Sequence, residues 1–469
     1  MNIKVSNIIT VTDPNINIFS WCKRVLRIPN PEYAKKVRMG LWLGNTPKLL
    51  ELFEMRGEEL ILPFGVLKSL PLDVTKQAKF ESDFAPIKTV NFNQRQSYGK
   101  ARIGLHAVGI YGDNRNLFHP CILQSPAGSG KTQMGIAIAV KLNRPTLWLC
   151  HTVDLVNQSK QRAEQYISKD MIGTIAAGKV NIGKGITFAT IQTMSNLDLT
   201  QYKNQWDCII TDEVHRVSGT PTAITQYQKV LNSLAARHKY GLSATVHRSD
   251  NMIQATCALV GDIAYKVPNN AVSNKIMRVG IYPISTNVHM SKEALNTDGT
   301  LNYAKLITYL TENEDRNQLI VNTIEQKPSL ILSDRLKHIE TLMNLLPDDM
   351  RKQAVMISGK MTSKKAKEQR EQAIEDMRNG KKKYLFATYS LAKEGLDIPC
   401  LERLYLTTPQ KDYAIVTQSI GRIARLCERK CKPIAYDFVD DIRYFVNSYK
   451  KRRVIYRKNN CYFVEEAGM

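Results

Sequence analysis

Eight residues, Ser125-Pro126-Ala127-Gly128-Ser129-Gly130-Lys131-Thr132, directly follow the apolar run CILQ (121–124) and open a helical pattern. A strand that passes through a glycine-rich turn straight into a helix restricts the chain to an α/β architecture. The same residues carry chemistry. Glycines let the backbone wrap closely around a phosphate, amides at the helix start cradle it, Lys131 neutralises its oxygens, and the Thr132 hydroxyl suits Mg²⁺. Ser125 stands where the general pattern has glycine.

The rest of the chain repeats this alternation. Apolar runs TLWLC (146–150), ITFAT (186–190), CIIT (208–211) and YGLSAT (240–245) are separated by helical patterns. After the turn-rich VPNNAVSN (267–274), a second series follows: LILS (330–333), AVMIS (354–358), KYLFAT (383–388), RLYLTTP (403–409) and PIAYDFV (433–439). Such runs predict βαβ units and parallel sheets covered on both faces. The expectation is two doubly wound α/β domains in tandem, at 89–272 and 273–469, behind a small α+β domain at 1–88.

Lys and Arg total 66 against 43 Asp and Glu, a net charge of +23 over 469 residues, which points to a polyanionic partner. With 43% hydrophobic residues, disorder and collagen are excluded. The nine cysteines are scattered with no CxxC pair, so they read as reduced thiols rather than a zinc site. No run of about 18 apolar residues is present and the start of the chain lacks a signal-peptide core, so a reducing cytoplasm is expected.

The positive charge has two concentrations. Residues 1–50 hold 8 basic and 2 acidic side chains, including Lys35, Lys36 and Arg38 after Asn30-Pro31-Glu32-Tyr33. From Arg443 to Lys458 there are seven basic residues and no acid, interleaved with Tyr444, Phe445, Tyr449 and Tyr456. That tail reads equally as a surface that grips phosphates and stacks bases or as a C-terminal helix with a solvated basic face and aromatics in the core.

Eighty-one residues beyond Lys131, a second apolar strand ends in Asp212-Glu213-Val214-His215. A carboxylate there can hold Mg²⁺, and its neighbour can orient or deprotonate an attacking water. Together with Ser243-Ala244-Thr245 further on, the order of motifs resembles a superfamily 2 DExH helicase, over about residues 88–440.

The resemblance implies two RecA-like domains, ATP and Mg²⁺ as cofactors, and a role for each matching residue. Gln96 would read the adenine. Lys131, Asp212, Glu213 and His215 would serve hydrolysis, with Thr132 and Asp212 on the metal, while Ser243, Ala244 and Thr245 couple states. Thr152, Thr190, Gln192, Ser358, Gly359 and Thr388 would touch nucleic acid. In SLAKEGLDIP (390–399), Gly395 and Asp397 would contact ATP or couple the lobes, and in the following QxxGRxxR, Gln418 would sense nucleotide. Arg422 and Arg425 sit at i, i+3 spacing, which places both on one helix face and suits a pair of arginine fingers. VHRSD supplies Arg248 and Asp250, with Val246 where the family has proline.

Among such proteins the sequence most resembles the phage UvsW-type branch-migration DNA helicases. That implies a monomer acting on branched or forked DNA and on single-stranded and duplex DNA, without a membrane partner, in the host cytoplasm. An RNA helicase, or a nucleotide-gated clamp that binds without translocating, fits the same motifs.

Overall fold

Runs of Ile, Leu, Val and Thr too apolar to face water form the centres of two parallel sheets. The computed structural model describes residues 1–92, 120–126, 129–217, 221–244, 252–267, 276–291, 294–295, 301–357, 364–393, 396, 398–428 and 430–464. The chain divides into two compact units, Met1–Pro268 and Asn269–Met469.

The first unit opens with β1 (Asn2–Val5) and β2 (Ile8–Thr12), whose alternating burial turns Ile3, Val5, Ile9 and Val11 inward. A helix, Ile16–Val25, follows, its start closed by Asn15 Oδ1 accepting from the Ile18 amide at 3.0 Å. Strands β3 (Arg27–Pro29) and β4 (Leu49–Glu51) pair as an antiparallel ribbon flanking the helix Pro31–Arg38. With β5 (Glu54–Arg56), β6 (Glu59–Pro63) and β7 (Lys79–Ser82), the first two strands complete a five-stranded sheet of order β5-β6-β2-β1-β7.

The larger sheet holds β8 (Cys121–Gln124), β9 (Thr146–Cys150), β10 (Ile172–Ala176), β11 (Lys179–Asn181), β12 (Ile186–Thr190), β13 (Cys208–Asp212), β14 (His238–Ser243) and β15 (Ile263–Lys266). Their order is β11-β10-β12-β9-β13-β14-β8-β15, parallel except for the β10–β11 hairpin. Every residue of β9, β12, β13 and β14 is buried, which is why these strands read as unbroken apolar runs.

One sheet face lies under the helices Lys131–Leu142 and Val153–Ala163, with Ile136, Ile138, Trp148 and Phe188 in that core. The other face shares a single apolar core with the N-terminal sheet: Ile3 and Leu60 belong to the same cluster as Ile122, Leu147, Tyr227 and Leu231. Lys239 of β14 reaches across, donating to the Asn7 carbonyl at 3.1 Å and the Leu231 carbonyl at 2.7 Å, with its ammonium 4.6 Å from the Phe64 ring centre.

The second unit is a seven-stranded, all-parallel sheet built from β16 (Gly280–Ser285), β17 (Ser329–Ser333), β18 (Ala354–Ile357), β19 (Tyr384–Thr388), β20 (Arg403–Leu406), β21 (Ile434–Val439) and β22 (Tyr462–Phe463). Its order is β18-β19-β17-β20-β21-β16-β22. Two doubly wound parallel-sheet domains and a small N-terminal α+β sheet are thus present. The basic tail is the helix Arg443–Lys458, with Phe445 and Tyr456 in the core. Among the described residues no helix is long and apolar enough to cross a membrane.

Candidate active site

The phosphate loop leaves β8 at Gln124, and its first residue is tied to the neighbouring strand by the Ser125 amide, which donates to the Ser243 carbonyl at 2.9 Å. Ser125 and Ser129 are buried and joined through their hydroxyls, and the Ser129 amide donates to the Pro126 carbonyl at 3.2 Å. Gly130 then turns the chain into the helix with φ +91°, a left-handed conformation a side chain would strain. Lys131 and Thr132 are the first two helical residues, beside amides that have no partner within the helix. Ala127 and Gly128 lie outside the described residues.

Strand pairing brings the other motifs to the same edge. β13 pairs with β14 so that Asp212 faces Leu242, and β14 pairs with β8 so that Ser243 faces Gln124. The phosphate loop, the acidic pair and Ser243 therefore stand at three adjacent carboxyl ends, where open α/β sheets bind ligands. Asp212 Oδ1 accepts from the Glu213 amide at 2.9 Å, and Glu213 itself has φ +48°. His215 Nδ1 lies 3.3 Å from Glu213 Oε2 and 3.1 Å from Ser243 Oγ, so one ring nitrogen connects β13 to β14. The two residues are 28 positions apart, and this link is invisible in the sequence.

Burial pushes the Asp212 carboxyl up to about 7; the Glu213 charge adds to the effect and the Lys131 ammonium opposes it. A carboxyl this short of positive charge is suited to a divalent cation. Thr132 and Asp212 supply a hydroxyl and a carboxylate oxygen, the sparse donor set that fits Mg²⁺, whose remaining positions go to water and substrate phosphates.

Thr152 lies two residues past the end of β9 and Thr190 is the last residue of β12, adjacent strands in which Thr190 faces Cys150. Each hydroxyl has a structural duty. Thr152 caps the helix Val153–Ala163 by accepting from the Leu155 amide at 3.3 Å, and Thr190 caps Ile191–Asn196 by accepting from the Thr193 amide at 3.4 Å. Gln192 is half-buried in the first turn of the latter. His151, beside Thr152, is held below the usual imidazole range by burial and by the nearby Arg216 and His215.

In the second unit, Gln418 is buried within the helix Tyr413–Ile423, and Arg422 Nη1 donates to the Leu396 carbonyl at 2.8 Å. Arg425 departs from expectation. The helix ends at Ile423, so Arg425 does not share its face but forms an antiparallel bridge with Ile276. Thr388 ends β19 with its hydroxyl 2.9 Å from Ser390 Oγ. Ala244 is buried after β14. Gln96, Thr245, Arg248, Asp250, Ser358, Gly359, Gly395 and Asp397 lie outside the described residues.

Comparison with known proteins finds two matching families: one described as Type III restriction enzyme, res subunit, over residues 89–248, and one described as Helicase conserved C-terminal domain, over 305–427. A protein of Acanthamoeba polyphaga mimivirus, named as an ATP-dependent RNA helicase, is 28% identical over 74% of this chain and 66% of its own length, just under two thirds. One from Escherichia phage T5, named as a helicase, is 26% identical over 72% of each chain. The crystal structure of phage T4 UvsW aligns over 99% of both chains with 17% identity and a TM-score of 0.40. S. cerevisiae Dbp5 bound to RNA aligns over 78% of this chain and 93% of that one, with 19% identity and a TM-score of 0.51, and is similar in fold.

Proposed function

Because the chain belongs to the superfamily 2 helicases, we propose that it is an ATP-driven DNA motor that unwinds or branch-migrates forked and four-way-junction DNA. The observation that supports this reading most directly is the joined strand edge: the phosphate loop, Asp212-Glu213 and Ser243 on three neighbouring strands, with His215 touching both Glu213 and Ser243.

On this reading Lys131 and the amides at the start of its helix bind the nucleotide's phosphates, and Thr132 and Asp212 hold Mg²⁺. When bound, the cation neutralises charge on the phosphate oxygens. Glu213 orients the attacking water and takes its proton, and His215 senses that change at Ser243. Gln418, Arg422 and Arg425 serve turnover, and Thr152, Thr190, Gln192, Ser358, Gly359 and Thr388 hold the strand. Gln96, Gly395 and Asp397 complete the nucleotide contacts. The net charge of +23 supports a polyanionic track.

The name of the mimivirus relative favours RNA as a second reading of the track. ATP hydrolysis by the full chain with Mg²⁺ separates the two when single-stranded DNA, duplex DNA, four-way-junction DNA and single-stranded RNA are titrated at one salt concentration. The greatest stimulation is expected from junction DNA; RNA stimulating most would overturn the DNA assignment. Strand displacement in a helicase assay then distinguishes a motor from a nucleotide-gated clamp.

A further inference from the structure

The segment between the helix Pro31–Arg38 and β4, beside the N-terminal sheet, presents a large aromatic side chain to water. Of the four tryptophans, Trp21, Trp148 and Trp206 are buried, whereas Trp42 is 88% exposed. Val37, Met39 and Leu41 are also exposed on the same stretch. Four apolar side chains exposed within six residues are more than scattered surface placement supplies.

The stretch between the helix Pro31–Arg38 and β4 is held in shape. Asn30 pins its far end, with its amide donating to the Lys48 carbonyl at 3.0 Å and Nδ2 to the Pro47 carbonyl at 2.8 Å. Lys36 Nζ donates to Thr46 Oγ1 at 2.6 Å, and the Leu41 amide to the Lys36 carbonyl at 2.9 Å. Gly44, at φ +50°, comes so close to the indole that an added Cβ would lie 2.8 Å from ring carbon Cζ3 of Trp42. The ring thus rests on a bare glycine backbone, and its exposure leaves the rest of its surface open.

Charge and shape narrow the occupant. From Lys35 to Lys48 the chain carries Lys35, Lys36, Arg38 and Lys48 and no acid. Beside the ring an open groove of about 480 Å³ is lined by Trp42, Asn45 and Thr46, by Thr225 and Gln228 from the helix Pro221–Ser233, and by the carboxylates Glu32 and Glu51, each already paired with a cation: Glu32 with Lys36 at 3.7 Å and Glu51 with Arg27 Nε at 2.7 Å. An aromatic face, cationic surroundings and side-chain amides together are the elements that bind single-stranded nucleic acid: stacking for a base, cations for its phosphates, amides for its edge.

We infer that Trp42 is a stacking platform for an unpaired base of a DNA strand at a fork, with Lys35 and Lys48 on the flanking phosphates. This rests on the proposed DNA motor. The helix that supplies Gln228 begins nine residues after Asp212, so the platform and the nucleotide site belong to one unit.

The three buried tryptophans emit as well, but a base has no access to stack on them, so quenching by a stacked base reports on Trp42. The full chain is titrated with a dye-labelled forked duplex bearing unpaired arms and with a hairpin-capped duplex of equal paired length. Dye anisotropy reports binding, and tryptophan emission reports stacking. The fork should quench the emission and the capped duplex should not. Trp42→Ala should abolish the quench and weaken fork binding roughly five- to a hundredfold. Trp42→Phe should remove the quench while keeping most of the affinity, which separates stacking from a folding defect. Fork binding with unchanged emission, fork affinity unaltered by Trp42→Ala, or equal quenching by the capped duplex would each overturn the platform while leaving the DNA motor standing. If neither DNA raises the anisotropy, the motor reading fails and the platform fails with it.

Discussion

Glu213 keeps a left-handed backbone at φ +48°, a conformation that costs a residue with a side chain roughly 1–3 kcal/mol and persists where the surroundings enforce it. Here the enforcing contacts are the Asp212 carboxylate on its amide and His215 at its side chain. The strain therefore sets where the carboxylate lies. Glu213→Gln preserves the shape but cannot take a proton, so ATP binding should survive while kcat falls about 10²- to 10⁴-fold, as measured by nucleotide titration and steady-state hydrolysis. Near-normal turnover would remove Glu213 from the water-activating role. That Lys131, Thr132, Asp212 and Glu213 stand at strand ends was legible in the sequence, because each motif directly follows an apolar run. The His215–Ser243 contact was not, since it depends on which strands become neighbours. Nor was the position of Arg425, because nothing in QxxGRxxR announces that the helix stops at Ile423.

At the scale of elements, the helix Arg443–Lys458 has two chemistries on one cylinder. Arg443, Lys450, Lys451, Arg453, Arg457 and Lys458 are exposed, whereas Arg452 is buried and forks onto Asp437 with Nε and Nη2 both at 2.8 Å from the carboxylate oxygens. Tyr456 donates to the same carboxylate at 2.6 Å. Replacing Arg452 by Met would strand a buried Asp437, and loss of one partner from such a pair costs about 3–5 kcal/mol. Chemical denaturation should register that loss, whereas Lys450→Met should change stability by less than about 0.5 kcal/mol. In the sequence these basic residues look alike; only the partner on β21 tells them apart. The fully buried central strands were readable for the opposite reason, needing no partner to reveal them. The strands that escaped notice lack an unbroken apolar run: β11 is three exposed residues, β15 alternates and ends in Lys266, and β16 contains Pro283.

Over the molecule, the N-terminal sheet is bound into the first unit at Lys239. Burial lowers this ammonium to about 7, against 10.5 for an ordinary lysine. An unfolded chain holds the proton up to about pH 10.5 and the folded one releases it near 7, so the penalty is complete below pH 7 and fades as pH rises. The stability of the wild type relative to Lys239→Met should therefore increase between pH 7 and pH 10, by at most roughly 4 kcal/mol, in urea denaturation at the two pH values. A gap that stays constant would mean the ammonium is not destabilised where it sits. The shared core that surrounds Lys239, in which Ile3 and Leu60 pack in one cluster with Ile122, Leu147 and Tyr227, gives the N-terminal sheet no tether on which to swing. Ile28 of β3 and Leu52 just past β4 belong to that cluster too, so a base stacked on Trp42 between them would have to travel with the first unit as one body, without slack.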